Sequence, residues 1–570
     1  MKKIKILFGF VLLLGLASCT NDFKEINTNP NGITQEEASA KYFITNPQYR
    51  LYAPDRYPYW RAQLIHTDRY AGHFTFGHSG SWWPGTLGYS FSASYTNASW
   101  DWLEGYLGGL DNFMKLTDVG GEFENELMHA TGLIMKGLYY QMFTDVFGEI
   151  PYSEAADTSI ILPKFDAQKD IYQGIIADLD RAMTIIGDAT NSGDGVQDIG
   201  DNDIYCRGDM QKWKKLANTL KLRIAIRAKG ASGENFADAA INAALSANLF
   251  LESEADNVVL DKDAEISQWG AACYGDIWHN FGGLGSKWNV GEHVINYLQD
   301  YGDPRLSYYA QPAPGGIFGF KQPESTPEDP EPHDNFFEQV RHIRDKIAHV
   351  VGNTDFYEEL PDSVTFTIPE NSLYIGQPTR LASAMKKYAK WEFFSEPSEV
   401  VTQQKNQGQK PFNELILTTG ESYLLRAQAA VLGVGTENAE TMYHEGIRYA
   451  MRLWGVDDGD IEDFITNSTM ALLNGTQEQN LEKIAIQRWL ATYTDGFEAW
   501  AIVRKTGYPS ELANGVSNDK LYYIGGDIGA IYPQRMRYGS RTYETNGSNT
   551  SAAVARQGAD LQSTQLWYAK

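Results

Sequence analysis

The stretch "ESYLLRAQAAVLGVGTENAETMYHEGIRYAMRLWG", residues 421–455, carries the fold in its spacing. Tyr423, Leu424, Ala427 and Val431 recur every three or four positions, and Gly433 ends the pattern. After a short turn, Ala439, Tyr443, Ile447, Ala450 and Trp454 form a second stripe of the same period. An apolar residue at each turn of a 3.6-residue helix makes one buried face, so the stretch predicts two amphipathic helices folded back on each other. The pair spans close to the tetratricopeptide period of about 34 residues. Ala427, Ala429, Ala430, Gly446 and Ala450 are small enough to let the two backbones approach closely.

The same rhythm appears on both sides. Upstream, Leu127, Ala130, Ile134, Leu138, Met142 and Val146 form one stripe. Ile171, Ile175, Leu179, Ala182 and Ile186 form another, with Asp166 as the expected N-cap and Gly187 as the stop. Trp213, Leu216, Leu220 and Ile224 form a third, opened by Asp209 and closed by Gly230. Downstream, "LEKIAIQRWLATY" and "DGFEAWAIVRKTG" read as consecutive helices. The expected fold is mainly α, with paired antiparallel helices that are partly tetratricopeptide-like; a helical domain without true repeats is the other reading. Residues 188–205, 253–290, 310–372 and 507–570 are rich in Gly, Pro, Asn and Asp and read as long loop insertions. Residues 311–337 carry too many prolines for a helix.

The N-terminus is of a different kind. Lys2, Lys3 and Lys5 precede an apolar run, Ile6 to Leu16, and the small pair Ala17-Ser18. That is a secretory signal over residues 1–18, too short for a transmembrane helix of about 20 residues. Leu16-Ala17-Ser18-Cys19 resembles the lipobox of bacterial lipoproteins. The resemblance implies cleavage before Cys19, a diacylglyceryl thioether on its sulfur and an acylated amine, with palmitate among the chains. Residues 19–34 then read as a lipidated tether and 35–570 as the body.

Lys plus Arg number 48 against 73 Asp plus Glu, a net charge of −25. Nucleic-acid binding relies on clustered cations, so that class is excluded. Cys206 and Cys273 remain after Cys19; two free buried thiols are expected, and no Cys-rich metal motif is present.

Aromatic residues are abundant, with 14 Trp, 33 Tyr and 26 Phe. They are densest from Tyr70 to Tyr106, where Trp100, Trp102 and Tyr106 have helix-like spacing and are assigned to the core. Trp82 and Trp83 are adjacent and flanked by Gly80, Ser81 and Pro84, so both cannot face one core. An aromatic plane packs against the apolar face of a sugar ring, which makes this pair a candidate ligand platform. The bland alternative is a tryptophan that staples its loop to the scaffold. A second candidate is residues 269–289, where Trp269, Tyr274, Trp278, His279, Phe281 and Trp288 lie among glycines without helical rhythm. Tyr274 and Trp278 are the expected stacking residues, and Asp276, His279 and Asn280 supply directional hydrogen bonds. Loop packing is again the alternative.

Other constellations are weaker. His66, His73 and His78 lack metal-ligand spacing and are read as structural. Asp194, Asp198, Asp201 and Asp203 offer oxygen donors but not the EF-hand pattern, and are read as a solvated acidic loop. Asp495 and Glu498 are read as acids at a helix start. No catalytic motif and no cofactor fingerprint stands in a supporting context.

Taken in order, "DFKEINTNPNGIT", "FGEIPYSEA", "DIYQGIIADLDRA", "WKKLANTLKLRIAIR", "ESYLLRAQAAVLG" and "IAIQRWLATYTDGFEAWAIVRKTGYP" resemble the SusD/RagB family of nutrient-binding outer-membrane lipoproteins, in its second SusD-like subgroup. The resemblance implies tetratricopeptide-like helix pairs supporting a loop-rich, aromatic ligand-binding face. It also implies capture of oligosaccharides, or peptides in some branches, for a SusC-like TonB-dependent transporter, without catalysis and without a cofactor. The family has no fixed ligand motif, so Trp82, Trp83, Tyr274, Trp278 and His279 rest on the reading above. A surface glycoside hydrolase and a non-catalytic helical-repeat adaptor are the competing functions.

Overall fold

The computed structural model describes residues 37–52, 59–81, 83–157, 159–261, 287–402 and 412–570. The signal and tether, Cys19, Trp82, Cys273, Tyr274, Trp278 and His279 lie outside the described residues.

The first helical half contains α1 (Ala93–Gly105), α2 (Leu107–Thr117), α3 (Glu126–Phe147), α4 (Gln168–Ile186), α5 (Met210–Ala228) and α6 (Ala237–Ala247). Helix α3 is buried along almost its whole length, so its sequence is apolar on more than one face. Gly137 lets α4 close on it: a Cβ there would stand 3.2 Å from Ile175 and 3.3 Å from Leu179. The α4 stripe from Ile171 to Ile186 is buried as the period predicts, and Gly187 ends the helix at φ 51°. Its start differs from expectation. Ala167 is the N-cap, while the Asp166 carboxylate accepts from the backbone N–H groups of Tyr152 and Ser153 and so ties down the preceding loop. Asp209 does cap α5, accepting from Gln211 N and Lys212 N.

The second half contains α7 (Glu292–Asp300), α8 (Phe336–Val351), α9 (Thr419–Val431), α10 (Ala439–Arg452), α11 (Asp458–Asn467), α12 (Gln477–Ala491), α13 (Gly496–Thr506) and α14 (Ser540–Gln557). Helices α9 and α10 are the pair read from residues 421–455. A Cβ on Gly446 would meet Leu424 Cγ at 2.6 Å, and one on Gly420 would meet the backbone of Ala450 at 2.7 Å, so glycine sets how closely these helices pack. One continuous core joins both halves and includes Trp213, Trp489 and Trp500.

The strands are short. They are β1 (Phe74–Phe76), β2 (Ile150–Pro151), β3 (Phe165–Asp166), β4 (Val258–Leu260), β5 (Trp288–Val290), β6 (Gly316–Lys321), β7 (Tyr357–Leu360), β8 (Ser363–Ile368) and β9 (Glu414–Leu417). They pair antiparallel as β1–β5, β2–β3, β4–β9 and a three-stranded β6–β8–β7 sheet.

Two spans expected as loop insertions carry regular structure. Within 310–372 lie β6, β7, β8 and the whole of α8, which starts just after Pro332, the last proline of the 311–337 run. Phe336, Val340, Ile343 and Ile347 keep strict helical spacing and are fully buried against Phe366 and Phe393 in a second core. Composition averaged over the span hid that periodicity. Within 507–570 lies α14, mostly polar and kinked at Asn546, whose side chain donates to Pro163 O.

Candidate functional site

The two aromatic stretches singled out in the sequence are rooted side by side. Strand β1 leads into residues 77–92 and β5 follows residues 262–286; Phe76 pairs with Trp288 across this two-stranded sheet. The pairing extends past the strands, since Gly77 N donates to Lys287 O (2.7 Å) and Lys287 N to Gly80 O (3.2 Å). Around this root, Ser79 Oγ accepts from Trp391 N, the Lys386 ammonium donates to Ser81 O, and the Lys287 ammonium sits 4.2 Å from the Trp391 ring centroid.

Trp83 is 4% exposed, its ring against Trp60 (4.9 Å between centroids) and Phe76 (5.4 Å). It therefore serves as the staple of its loop rather than as an open stacking face, which corrects its place among the candidate ligand residues. Trp288 is fully buried on Phe76 and is likewise core, as are Trp100, Trp102 and Tyr106. Arg69 holds the same loop from below. Its buried guanidinium donates to Leu87 O, Gly85 O and Thr379 O and lies over the rings of Phe76 and Tyr89.

A cavity of about 590 Å³ opens nearby, between α7, α8, α12 and the segment 511–533, with Tyr89, Thr379 and Arg380 in its wall. That volume suits a small-molecule ligand. Tyr297 and Tyr301 present nearly parallel rings, 6.1 Å apart and 11° from coplanar. Tyr297 Oη donates to Glu511 Oε2 (3.1 Å). Lys346 pairs with Glu292 (2.6 Å), and His349 with Asp300 (3.2 Å). Burial pushes the Glu292 carboxyl up, but His293 and Lys346 beside it bring it below its ordinary range. Glu482 moves the other way: partial burial, then the charges of Glu511 and Glu478, raise it. Sequence reasoning missed this cavity because its walls come from distant segments. The one local signal was the i, i+4 spacing of Tyr297 and Tyr301.

The remaining groups are structural. His66, His73 and His78 are buried, each bonded through one ring nitrogen to a backbone carbonyl, of Arg61, Trp489 and Ala382 respectively. Burial pushes His66 and His78 down to about 4 and His73 to about 3, so all three are neutral at pH 7. Asp203 is not part of a solvated loop. It is fully buried and accepts from Gln48 Nε2, the backbone N–H groups of Tyr205, Cys206 and Gly208, and Trp213 Nε1. Cys206 beside it is a buried free thiol.

Asp495 caps α13, accepting from Glu498 N, but the pair is more than a helix start. Glu498 lies inside the scaffold, accepting from Arg227 and from Arg488 (3.2 Å). Arg227 also bonds Asp145, and Arg223 makes a two-pronged contact with Glu421 (2.8 and 2.5 Å). Burial alone pushes Glu498 up, yet Arg227, Arg223 and Arg488 hold it below the usual carboxylate range. Asp495, buried beside the Glu498 charge, is pushed up to about 8. The free space here is about 20 Å³, room for one water and not for a sugar.

Comparison with known proteins agrees with this architecture. A chitin-binding protein of known structure superposes with a TM-score of 0.69 at 23% identity, covering 93% of this chain and 100% of that one. A SusD-like protein from Bacteroides thetaiotaomicron gives 0.68 at 20% identity, covering 93% and 98%. A Bacteroidetes SusD-like protein gives 0.69 at 19%, covering 94% and 100%. No curated protein matches the sequence. The profile of the second SusD-like family, described as "Starch-binding associating with outer membrane", matches residues 30–322 and 371–538. Helix pairs, loop roots and profile coincide over most of the sequence, and the chain belongs to the SusD-like family.

Proposed function

We propose that this chain is a lipid-anchored outer-membrane protein that captures an oligosaccharide at the cell surface and passes it, uncleaved, to a SusC-like TonB-dependent transporter. The observation that carries the reading is the family match over residues 30–322 and 371–538. The family description names starch and one structural relative is a chitin-binding protein, so a glycan is preferred to a peptide. The anchor is Cys19, with attachment strengthened by about 0.8 kcal/mol for each buried methylene of its acyl chains.

The contact residues of this proposal are Trp82, Tyr274, Trp278 and His279. They belong to the two stretches whose roots the β1–β5 pairing holds together. Trp83 and Arg69 fix the first of these loops from inside. Aromatic rings would stack on sugar faces while His279 orients hydroxyls.

Calorimetric titration of the purified protein with starch, chitin oligosaccharides and peptides tests the capture. The expected result is glycan binding without cleavage, weakened roughly tenfold, about 1.4 kcal/mol, in Trp82→Ala or Trp278→Ala. Release of sugar products would establish a hydrolase, and binding of peptides alone would replace the ligand class. Cys19→Ala should move the protein out of the membrane fraction; its retention there would sink the anchor.

A further inference from the structure

We infer that the 590 Å³ cavity, which has Tyr89 of the first aromatic stretch in its wall, is a second ligand site, and that it takes an oligosaccharide bearing free amino groups, a glucosamine oligomer. This rests on the glycan reading above and adds to it a site and a substrate chemistry.

The family match skips residues 323–370, and that segment builds α8, β7 and β8. Lys346 and His349 of α8 form one wall of the cavity. The site is therefore completed by a part of this chain that the family profile does not describe.

Its charges are unevenly used. Lys346 is held by Glu292 and His349 by Asp300. The Lys483 ammonium donates to the carbonyls of Thr469 and Leu472, and the Arg380 guanidinium to those of Gly529 and Ile531. Glu482 and Glu511 are left over. Among the described residues neither has a lysine, arginine or histidine within ion-pair distance, although Glu511 accepts the Tyr297 hydroxyl. The electrostatic strain is visible in the raised pKa of Glu482, which follows burial first and the Glu511 and Glu478 charges next.

Beside these carboxylates stand the parallel rings of Tyr297 and Tyr301. A ring face attracts an ammonium through its quadrupole and also packs on the C–H face of a sugar. Arg380, also in the cavity wall, is 4% exposed, and its buried Nε–H has no acceptor. That donor suits a hydroxyl or ring oxygen. An amino sugar uses all three features, whereas a lysine side chain would use the carboxylates and leave the donor idle. The net charge of −25 further favours approach of a polycation.

The test is calorimetric titration of detergent-solubilised protein with glucosamine hexamer, N-acetylglucosamine hexamer and a lysine hexapeptide. The glucosamine hexamer should bind, and the double variant Glu482→Gln/Glu511→Gln should lose at least tenfold in affinity for it. The same variant should keep its affinity for the acetylated hexamer, and its unfolding should match the parent's. Tyr301→Ala should weaken the glucosamine hexamer without changing the charge of the site. An affinity within twofold of the parent in the double variant overturns the proposal, as does a lysine hexapeptide that binds as tightly as the amino sugar. Silence with glucosamine hexamer while other glycans bind overturns this site alone; silence with every glycan overturns the capture reading as well.

Discussion

Helix α12 serves two groups of charges that are treated in opposite ways. Arg488, toward its C-terminal end, belongs to the sealed network in which Arg223, Arg227, Glu421, Glu498 and Asp145 satisfy one another. Glu482, on the N-terminal half of the same helix, lines the open cavity and makes no ion pair among the described residues. Residue type does not separate the two, since both combine cationic side chains with carboxylates. What separates them is whether every charge has a partner inside the protein. Paired and buried, a carboxylate is a strut; unpaired beside an aromatic wall, it is available to a ligand.

The sharpest way to break that contrast is Glu498→Ala. The substitution leaves the guanidiniums of Arg227 and Arg488 buried without this acceptor and removes a partner of Gln141. Removing one partner of a buried ion pair costs about 3–5 kcal/mol, so a large loss in denaturant unfolding is expected, with loss of folded protein at the upper end. A loss below about 1 kcal/mol would mean that water replaces Glu498 and that the network is no strut.

The network also marks how far sequence reading reaches. Helices α9 and α10 were legible because periodicity, small residues and Gly433 are all local signals. The buried role of Glu498 was not, because Arg227 lies 271 positions away in sequence and the Arg223–Glu421 contact joins residues 198 apart. Asp203 was misread for the same reason, as its partner Gln48 comes from 155 residues upstream. Helix α8 was lost for a different one: a run of prolines beside it dominated the composition of the span. In the candidate site, the aromatic loops announced themselves by density, whereas the cavity needed seven separate segments to meet. Trp83 shows the limit of density as a signal, since an aromatic loop residue is equally suited to hold its own loop down.

A smaller effect sharpens the comparison from within the network. Asp495 is pushed up to about 8 by its burial and by the Glu498 charge. From the ordinary carboxylate range up to about 8, the folded protein holds this proton and the unfolded chain has released it. The unfolded state then binds fewer protons, so the Asp495 contribution to stability falls as pH rises through that window. Asp495→Asn keeps a side-chain oxygen to cap α13 and removes the titration. Unfolding in urea at about pH 5 and about pH 8 should therefore show the parent losing roughly 1–3 kcal/mol relative to the variant. The figure stays below the full linkage value because the 20 Å³ space beside Asp495 admits a water that eases ionisation. A difference between parent and variant that does not change with pH would show that Asp495 is ionised throughout, and the boundary between sealed and open charge would then lie deeper in the scaffold than α13.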